Sequence, residues 1–425
     1  MRFRAAFIAS TLLGLLGAPE LIAQQVQPSD ATEVVTLADL LEEAENVHPA
    51  IKAEASIVKS KSARVPQVKA LPDPTVKVGW MGNITPFSVQ HLDPSSYRGI
   101  SAMQELPYPG KLGLRGQIAE KDVDAEKWNL EATRRQVRAA VKSAYFELWS
   151  VDQAIAHTQE NKDLVVKLAR IAEEKYKVGK GLQQDVLRAQ LEVSRILQTL
   201  TILNQRQRSL AARLNTLLLR PLDRPIGTLA PVQKSPLNYS LNDLIDKGVE
   251  NSPEIRRQEQ LIEQSQYAVN LAHKEYYPDF QIGYDYWQRP DIKDMHGFNV
   301  TINVPIFYKK KQREGLNEAN FAHESARQSR EAIHTELLFQ VKDLFLRTKS
   351  SDDLLTLYTR ALVPQSALTL ESSMAAYQTG TLDFESLISN FTSVLEYEIN
   401  YYEELANYQK ALVSLEQITG AELIK

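Results

Sequence analysis

The side chains best suited to chemistry in this sequence are seven histidines: His48, His91, His157, His273, His296, His323 and His334. No cysteine accompanies them. Imidazole ligates metals and titrates near neutral pH, so a metal centre and acid–base catalysis are the two chemistries to weigh. A helical zinc site needs histidines at i and i+4. His323 and His334 lie eleven apart, which shares a helix face without making a close pair. Met295 and His296 stand beside Asp291 and Asp294 in a turn-rich segment, a weak ligand set for a borderline metal. Five methionines and no cysteine leave no soft-ligand ladder for copper or silver. Nucleophile elbow, phosphate loop, HExxH helix and paired-carboxylate motif are all missing. The chain is therefore not read as an enzyme, and no cofactor or metal is expected.

The composition narrows the remaining classes. Of 425 residues, 43% are hydrophobic and 24% charged, normal for a folded protein and too polar for a bundle of membrane helices. A net charge of −4 offers no basic excess to displace counterions from nucleic acid. Without cysteine, disulfides, thiolate sites and lipidation of an N-terminal Cys are excluded. The opening MRFRAAFIASTLLGLLGAPELIAQQ has Arg2 and Arg4, an apolar run from Ala5 to Ala18, and a small residue, Ala23, before Gln24. This is the pattern of a secretory signal peptide over residues 1–23. No later run reaches the ~18 apolar residues of a spanning helix, so entry into a membrane would require strands.

One stretch alternates as such a strand does. In FNVTINVP, Phe298, Val300, Ile302 and Val304 share a face opposite Asn299, Thr301 and Asn303. Val76, Val78 and Trp80 alternate likewise in TVKVGWM, and Ile282, Tyr284 and Tyr286 in QIGYDYW. The four predicted strands are 75–81, 97–105, 281–287 and 298–304. Trp80, Tyr284, Tyr286 and Trp287 suit an aromatic girdle at a membrane boundary. Lys309, Lys310, Lys311 and Arg313 follow the last strand, where cations leave hydrocarbon for water.

The landmarks come in pairs. HPAIK at 48–52 is echoed by SPEIR at 252–256, LPDPTVKVGW at 71–80 by YPDFQIGYDY at 277–286, QELPYPGK at 104–111 by INVPIFYK at 302–309, and YKVGKG at 176–181 by YQTGTL at 377–382. Four echoes in order indicate a duplicated half: a first repeat over 24–220, a proline-rich connector over 221–240, and a second repeat over 241–425. Each half predicts one helix (37–70 or 241–277) ended by Pro72 or Pro278, then two strands. A very long helix follows, over 110–178 or 310–377, and then a partner helix, over 183–219 or 383–419. Val137, Val141, Tyr145, Leu148, Trp149 and Ile155 form one apolar stripe, as do Leu337, Val341, Leu344, Phe345, Leu355 and Tyr358. Pro364 is placed to kink the second. The fold class is mainly α with a small β part. Four strands cannot close a barrel in lipid, where an open edge leaves backbone groups unsatisfied. Several chains would have to share one: two copies give eight strands, three give twelve.

With these residues in view the chain resembles the TolC-like outer-membrane efflux channels. The likeness covers 35–420 and rests on the duplicated half, the paired YxVG and YxTG turns, and the proline-ended entry to the strands. The LPDP and LPYPGKLGLR segments resemble the cobalt–zinc–cadmium and copper–silver branch. That resemblance implies a homotrimer with a twelve-stranded barrel in outer-membrane lipid and an α-helical tunnel across the periplasm of a Gram-negative bacterium. It also implies partners, a periplasmic membrane-fusion adaptor and an inner-membrane pump, and passive export of heavy-metal cations. The tips that would meet the adaptor fall on Tyr176, Val178, Gly179, Tyr377, Thr379, Gly380 and Thr381. The family's gate aspartates, nine and twelve residues past the second tyrosine, correspond here to Ser386 and Ser389; Asp383, Glu385 and the first-half Asp185 are the acidic candidates instead. A type I secretion or multidrug duct of the same fold, or a periplasmic coiled-coil adaptor, stand as alternatives.

Overall fold

A computed structural model describes residues 34–83 and 88–424; the expected signal segment, 1–23, lies outside them. Each half opens on a capping box. Thr36 and Asp39 exchange hydrogen bonds at the start of α1 (Leu37–Val47), and Ser240 and Asp243 do the same for α5 (Leu241–Asn251). These reciprocal bonds satisfy orphan amides of the first turn.

The single helix predicted at the head of each half is in fact two. α1 gives way to α2 (Pro49–Lys69), and α5 to α6 (Pro253–Lys274), with a break at His48 and Ser252. Proline forces the residue before it out of the helical region, and His48 and Ser252 are extended, with ψ near 120°. The same residues then cap the next helix: Ala50 N–H donates to His48 Nδ1 (3.2 Å), Ile255 N–H to Ser252 Oγ (3.4 Å).

The strands are β2 (Thr75–Met81), β3 (Tyr97–Leu106), β5 (Asp279–Gln288) and β6 (Met295–Asn303), slightly displaced from the predicted 97–105, 281–287 and 298–304. They form one antiparallel sheet in the order β2-β3-β5-β6. Val304 falls just beyond β6. A second, parallel pair joins β1 (Val34–Val35) to β4 (Thr228–Leu229) and ties the connector to the start of the first repeat. The last helix of the chain holds the connector too: Tyr408 Oη donates to the Ser235 carbonyl (2.7 Å). Burial pushes that phenol up to about 12, so it stays a donor.

The long helices dominate. α3 (Lys111–Lys177) runs 67 residues unbroken, roughly 100 Å at 1.5 Å per residue. Its return partner is α4 (Gln183–Leu217). In the second half α7 (Gln312–Leu357) meets a π-helical turn, Tyr358–Leu362, before α8 (Val363–Thr379), and α9 (Phe384–Thr419) returns. The irregularity sits ahead of Pro364. Before it, residues 137, 141 and 145 align with 337, 341 and 345, an offset of 200; at the tip Gly179 aligns with Gly380, an offset of 201. A π turn accommodates one inserted residue without breaking the helix, and the shift matches that. Two apolar cores result, one at mid-length around Val141, Leu214, Leu244 and Leu412, the other near the tips around Val165, Ala189, Leu387 and Phe391.

Candidate functional site: hairpin tips and a two-faced sheet

At the far end of each hairpin the long helix stops at a glycine. Gly179 has φ +70° and Gly380 φ +82°, the left-handed conformation that costs glycine least. Both turns close with the same pair of bonds. Gly179 N–H reaches Tyr176 O (3.0 Å) and Lys180 N–H reaches Lys175 O (2.8 Å); Gly380 N–H reaches Tyr377 O (3.2 Å) and Thr381 N–H reaches Ala376 O (3.0 Å). These are Schellman caps. Val178, Thr379 and Thr381 are exposed at their apices.

The two tips touch. The Lys175 ammonium bonds the Tyr377 carbonyl and lies 3.9 Å from the centre of its ring. Tyr377 is 5% exposed and packs on Phe384, whereas its counterpart Tyr176 is 47% exposed. Burial, with the nearby Asp185 charge, raises the Tyr377 phenol above its ordinary pKa. Asp185, Asp383 and Glu385 come together on one open groove of about 600 Å³ beneath the turns, with Lys175 and Lys180 on its rim. Their duties differ. Asp383 caps α9, accepting from Ser386 N–H (2.7 Å) and Ser386 Oγ (2.9 Å), and those bonds hold its carboxyl below the usual range. Glu385 projects into solvent 3.8 Å from Arg188.

Cross-strand register sorts the sheet into two faces. Val78 pairs with Ile100, Ile100 with Tyr286, Ile282 with Val300 and Tyr284 with Phe298. Directly paired residues share a face, so Val76, Val78, Trp80, Ile282, Tyr284, Tyr286, Phe298, Val300 and Ile302 all lie on one side. That side is mainly apolar and open: Phe298 is 85% exposed and Val78 81%, with Arg98, Gln104, Gln288 and His296 toward the strand ends. The other side carries Lys77, Ser101, Gln281, Asp285, Asn299, Thr301 and Asn303. Trp287 falls on this polar side, paired with Gly99 and Met295. It does not join Trp80, Tyr284 and Tyr286 as the girdle reading expected. β2 and β6 each present an edge with no strand against it among the described residues.

A buried ion cluster, missed by sequence reasoning, joins sheet to helices. Lys111 is 1% exposed; its Nζ meets Asp279 Oδ1 at 2.9 Å, Glu275 Oε2 at 3.1 Å and the Tyr277 carbonyl at 3.3 Å. Tyr108 stacks on Tyr277 beside it (4.6 Å). The signal was PYPGK itself, whose echo IFYK leaves Lys309 exposed.

The histidines are dispersed. His91 bonds Asp291, His296 bonds the Tyr284 hydroxyl (2.7 Å), Asp294 accepts from Tyr286 (2.7 Å), and His323 bonds Ser265 (2.9 Å). Among the described residues no group of three His, Asp or Glu is placed to hold a metal ion, and no helix is long and apolar enough to cross a membrane.

Long paired hairpins on an amphipathic four-stranded sheet give this chain the TolC-like fold of the solved outer-membrane channels OprN and CusC. The outer membrane efflux protein family matches residues 40–218 and again 244–421, and the chain belongs to that family, whose members are channels and not enzymes. It is similar to the cobalt-zinc-cadmium resistance protein CzcC of Cupriavidus metallidurans, 19% identical over 404 residues, 93% of this chain and 92% of that one. Among solved structures, CusC superposes with a TM-score of 0.78 at 16% identity, over 91% of this chain and 93% of that one. VceC from Vibrio cholerae gives 0.77 at 14%, over 91% and 97%. Likeness at these identities establishes the fold.

Proposed function

We propose that three copies of this chain assemble into one exit duct, each lending four strands to a twelve-stranded outer-membrane barrel. The observation that carries this is the sheet. It has one mainly apolar exposed face, one polar face and two edges with no strand against them among the described residues. In lipid each unpaired edge would leave a row of backbone groups unsatisfied, and β6 of one chain closing on β2 of the next removes every edge. The apolar face from Val76 to Ile302 then meets lipid, and Asp285, Asn299 and Thr301 line a wet lumen. The long hairpins extend the lumen into the periplasm. Their tips, Tyr176 to Gly179 and Tyr377 to Thr381, meet a periplasmic adaptor linked to an inner-membrane pump, and the groove carrying Asp185, Asp383 and Glu385 forms the gate. Similarity to CzcC supports heavy-metal cations as the cargo.

Cell fractionation with heat-modifiable gel migration tests the assembly. A band of trimer mass in the outer-membrane fraction, collapsing to a monomer on boiling, is the expected result. A soluble periplasmic monomer would sink it and favour a coiled-coil scaffold. Cargo is tested separately, by the cobalt, zinc, cadmium, copper and silver tolerance of a deletion strain.

A further inference from the structure

Trp287 stands on the side of the sheet where a lipid anchor has no use. The indole spans three strands. A Cβ placed on Gly99 of β3 would stand 2.7 Å from Trp287 Cδ1, and one on Gly297 of β6 would stand 3.0 Å from Cη2. Two glycines on different strands thus clear the floor on which the ring lies. Glycine within a strand often marks such a close approach. Tyr97, from β3, leans on the ring with centroids 5.9 Å apart and planes tilted by 59°.

A carboxylate sits beside this platform. Asp285 is paired directly with Gly297, and its Oδ2 lies 3.5 Å from the Cβ position at that glycine. The indole's benzo ring and the Asp285 carboxylate therefore flank one residue. Asn299 Nδ2 donates to Oδ2 at 2.7 Å and holds the group in place. An aromatic face attracts a cation through the ring quadrupole, and an adjacent carboxylate adds Coulombic attraction. Weakly hydrated ammonium groups gain most from such a pair. A small divalent ion, with one carboxylate to meet, keeps its water.

We propose that Trp287 and Asp285, with Tyr97 as a side wall, form a binding site for organic ammonium cations inside the barrel, just below the outer loop 289–294. The site rests on the trimeric-barrel reading, which makes this face the lumen wall.

The test is current block in planar bilayers by tetrabutylammonium, added to either side of the full-length channel. Half-block by wild type should need about fivefold less blocker than Trp287→Ala, the ratio expected of one cation–π contact. Asp285→Asn should weaken block in the same direction, Trp287→Phe should keep most of it, and Trp80→Ala, on the opposite face, should change nothing. Zinc should not distinguish these channels. Equal tetrabutylammonium block in wild type, Trp287→Ala and Asp285→Asn, or no block at all, would overturn the site and leave the indole as filler over two glycines. If Trp287→Ala fails to insert, Asp285→Asn and Trp287→Phe decide alone. Wild-type protein that forms no channels would instead overturn the barrel on which the site depends.

Discussion

The two halves of this chain repeat one plan and anchor it differently. At the sheet–helix joint the first half buries Lys111 against Asp279 and Glu275, while the second leaves Lys309, Lys310 and Lys311 exposed. At the tip the weighting reverses. The second half buries Tyr377 and caps α9 with Asp383, whereas the first exposes Tyr176 and starts α4 at Leu182 with no side-chain cap. Duplication supplied the same helix–strand order twice; divergence then fixed each half firmly at opposite ends. Both acidic partners of Lys111 come from the second half, and Lys175 of the first half binds the tip of the second. Each half thus anchors on the other, which makes the halves unequal and interdependent.

Charging the apolar face gives the largest expected effect. Val300→Arg should abolish outer-membrane assembly, since a mid-membrane Arg costs roughly 2–4 kcal/mol in every chain; normal trimer yield on gels would show that β6 does not face lipid. Next comes the joint. Lys111→Met leaves Asp279 without its cation and Glu275 with only Arg115 at 3.9 Å, and should destabilise by about 2–3 kcal/mol, below the usual toll for a fully buried pair because both acids are partly wet. Lys309→Met should change stability by less than about 0.5 kcal/mol. Equal losses in denaturant melts of the two variants would erase the contrast between the halves at this end.

Smaller changes probe the tips. Asp185→Ala combined with Glu385→Ala should raise single-channel conductance by removing the Glu385–Arg188 ion pair (3.8 Å) that links α9 to α4 beside the groove; unchanged conductance would remove these carboxylates from the gate. Leu182→Ser would create with Asp185 the box already used at Thr36–Asp39 and Ser240–Asp243, stabilising the first tip by about 1 kcal/mol. Amide exchange at the start of α4 should slow, and unaltered exchange would show that its cap is not what separates the tips. The Asp383 cap should weaken in acid. Its carboxyl is held below the ordinary range by the Ser386 bonds, so its contribution is complete above the unfolded-state pKa and fades as pH falls through the folded one. Protection against exchange at the start of α9, relative to the intrinsic rate at each pH, should therefore fall at low pH in wild type and lose that dependence in Asp383→Asn.

Much of the architecture was legible in the residues. Period-two alternation in TVKVGWM, QIGYDYW and FNVTINV marked three strands, and 3–4 spacing marked the stripes of α3 and α7, because those periods reflect backbone geometry directly. HPAIK and SPEIR fit the pattern of one continuous helix although both hold the proline that breaks it; the penalty falls on the residue before proline, where neither His nor Ser is a usual breaker. Trp287 adjoins Tyr284 and Tyr286 in the chain, but its parity matches Gln281, Gly283 and Asp285. From the sequence Asp383 reads as a gate charge, whereas its bonds to Ser386 show it capping α9.

The sequence by itself determined the duplication, the strand faces, the glycine turns and, past the N-terminal segment, the lack of a run apolar enough for a spanning helix, since each follows from local spacing. Only the tertiary structure decided which residues far apart in the chain meet. Lys111 finds Asp279 across 168 positions, Lys175 finds Tyr377 across 202, and Gly99 makes room for an indole 188 residues away. Such pairings depend on strand register and helix phase accumulated over long helices, and the π turn at Tyr358–Leu362, with its single inserted residue, resets that phase in one half alone.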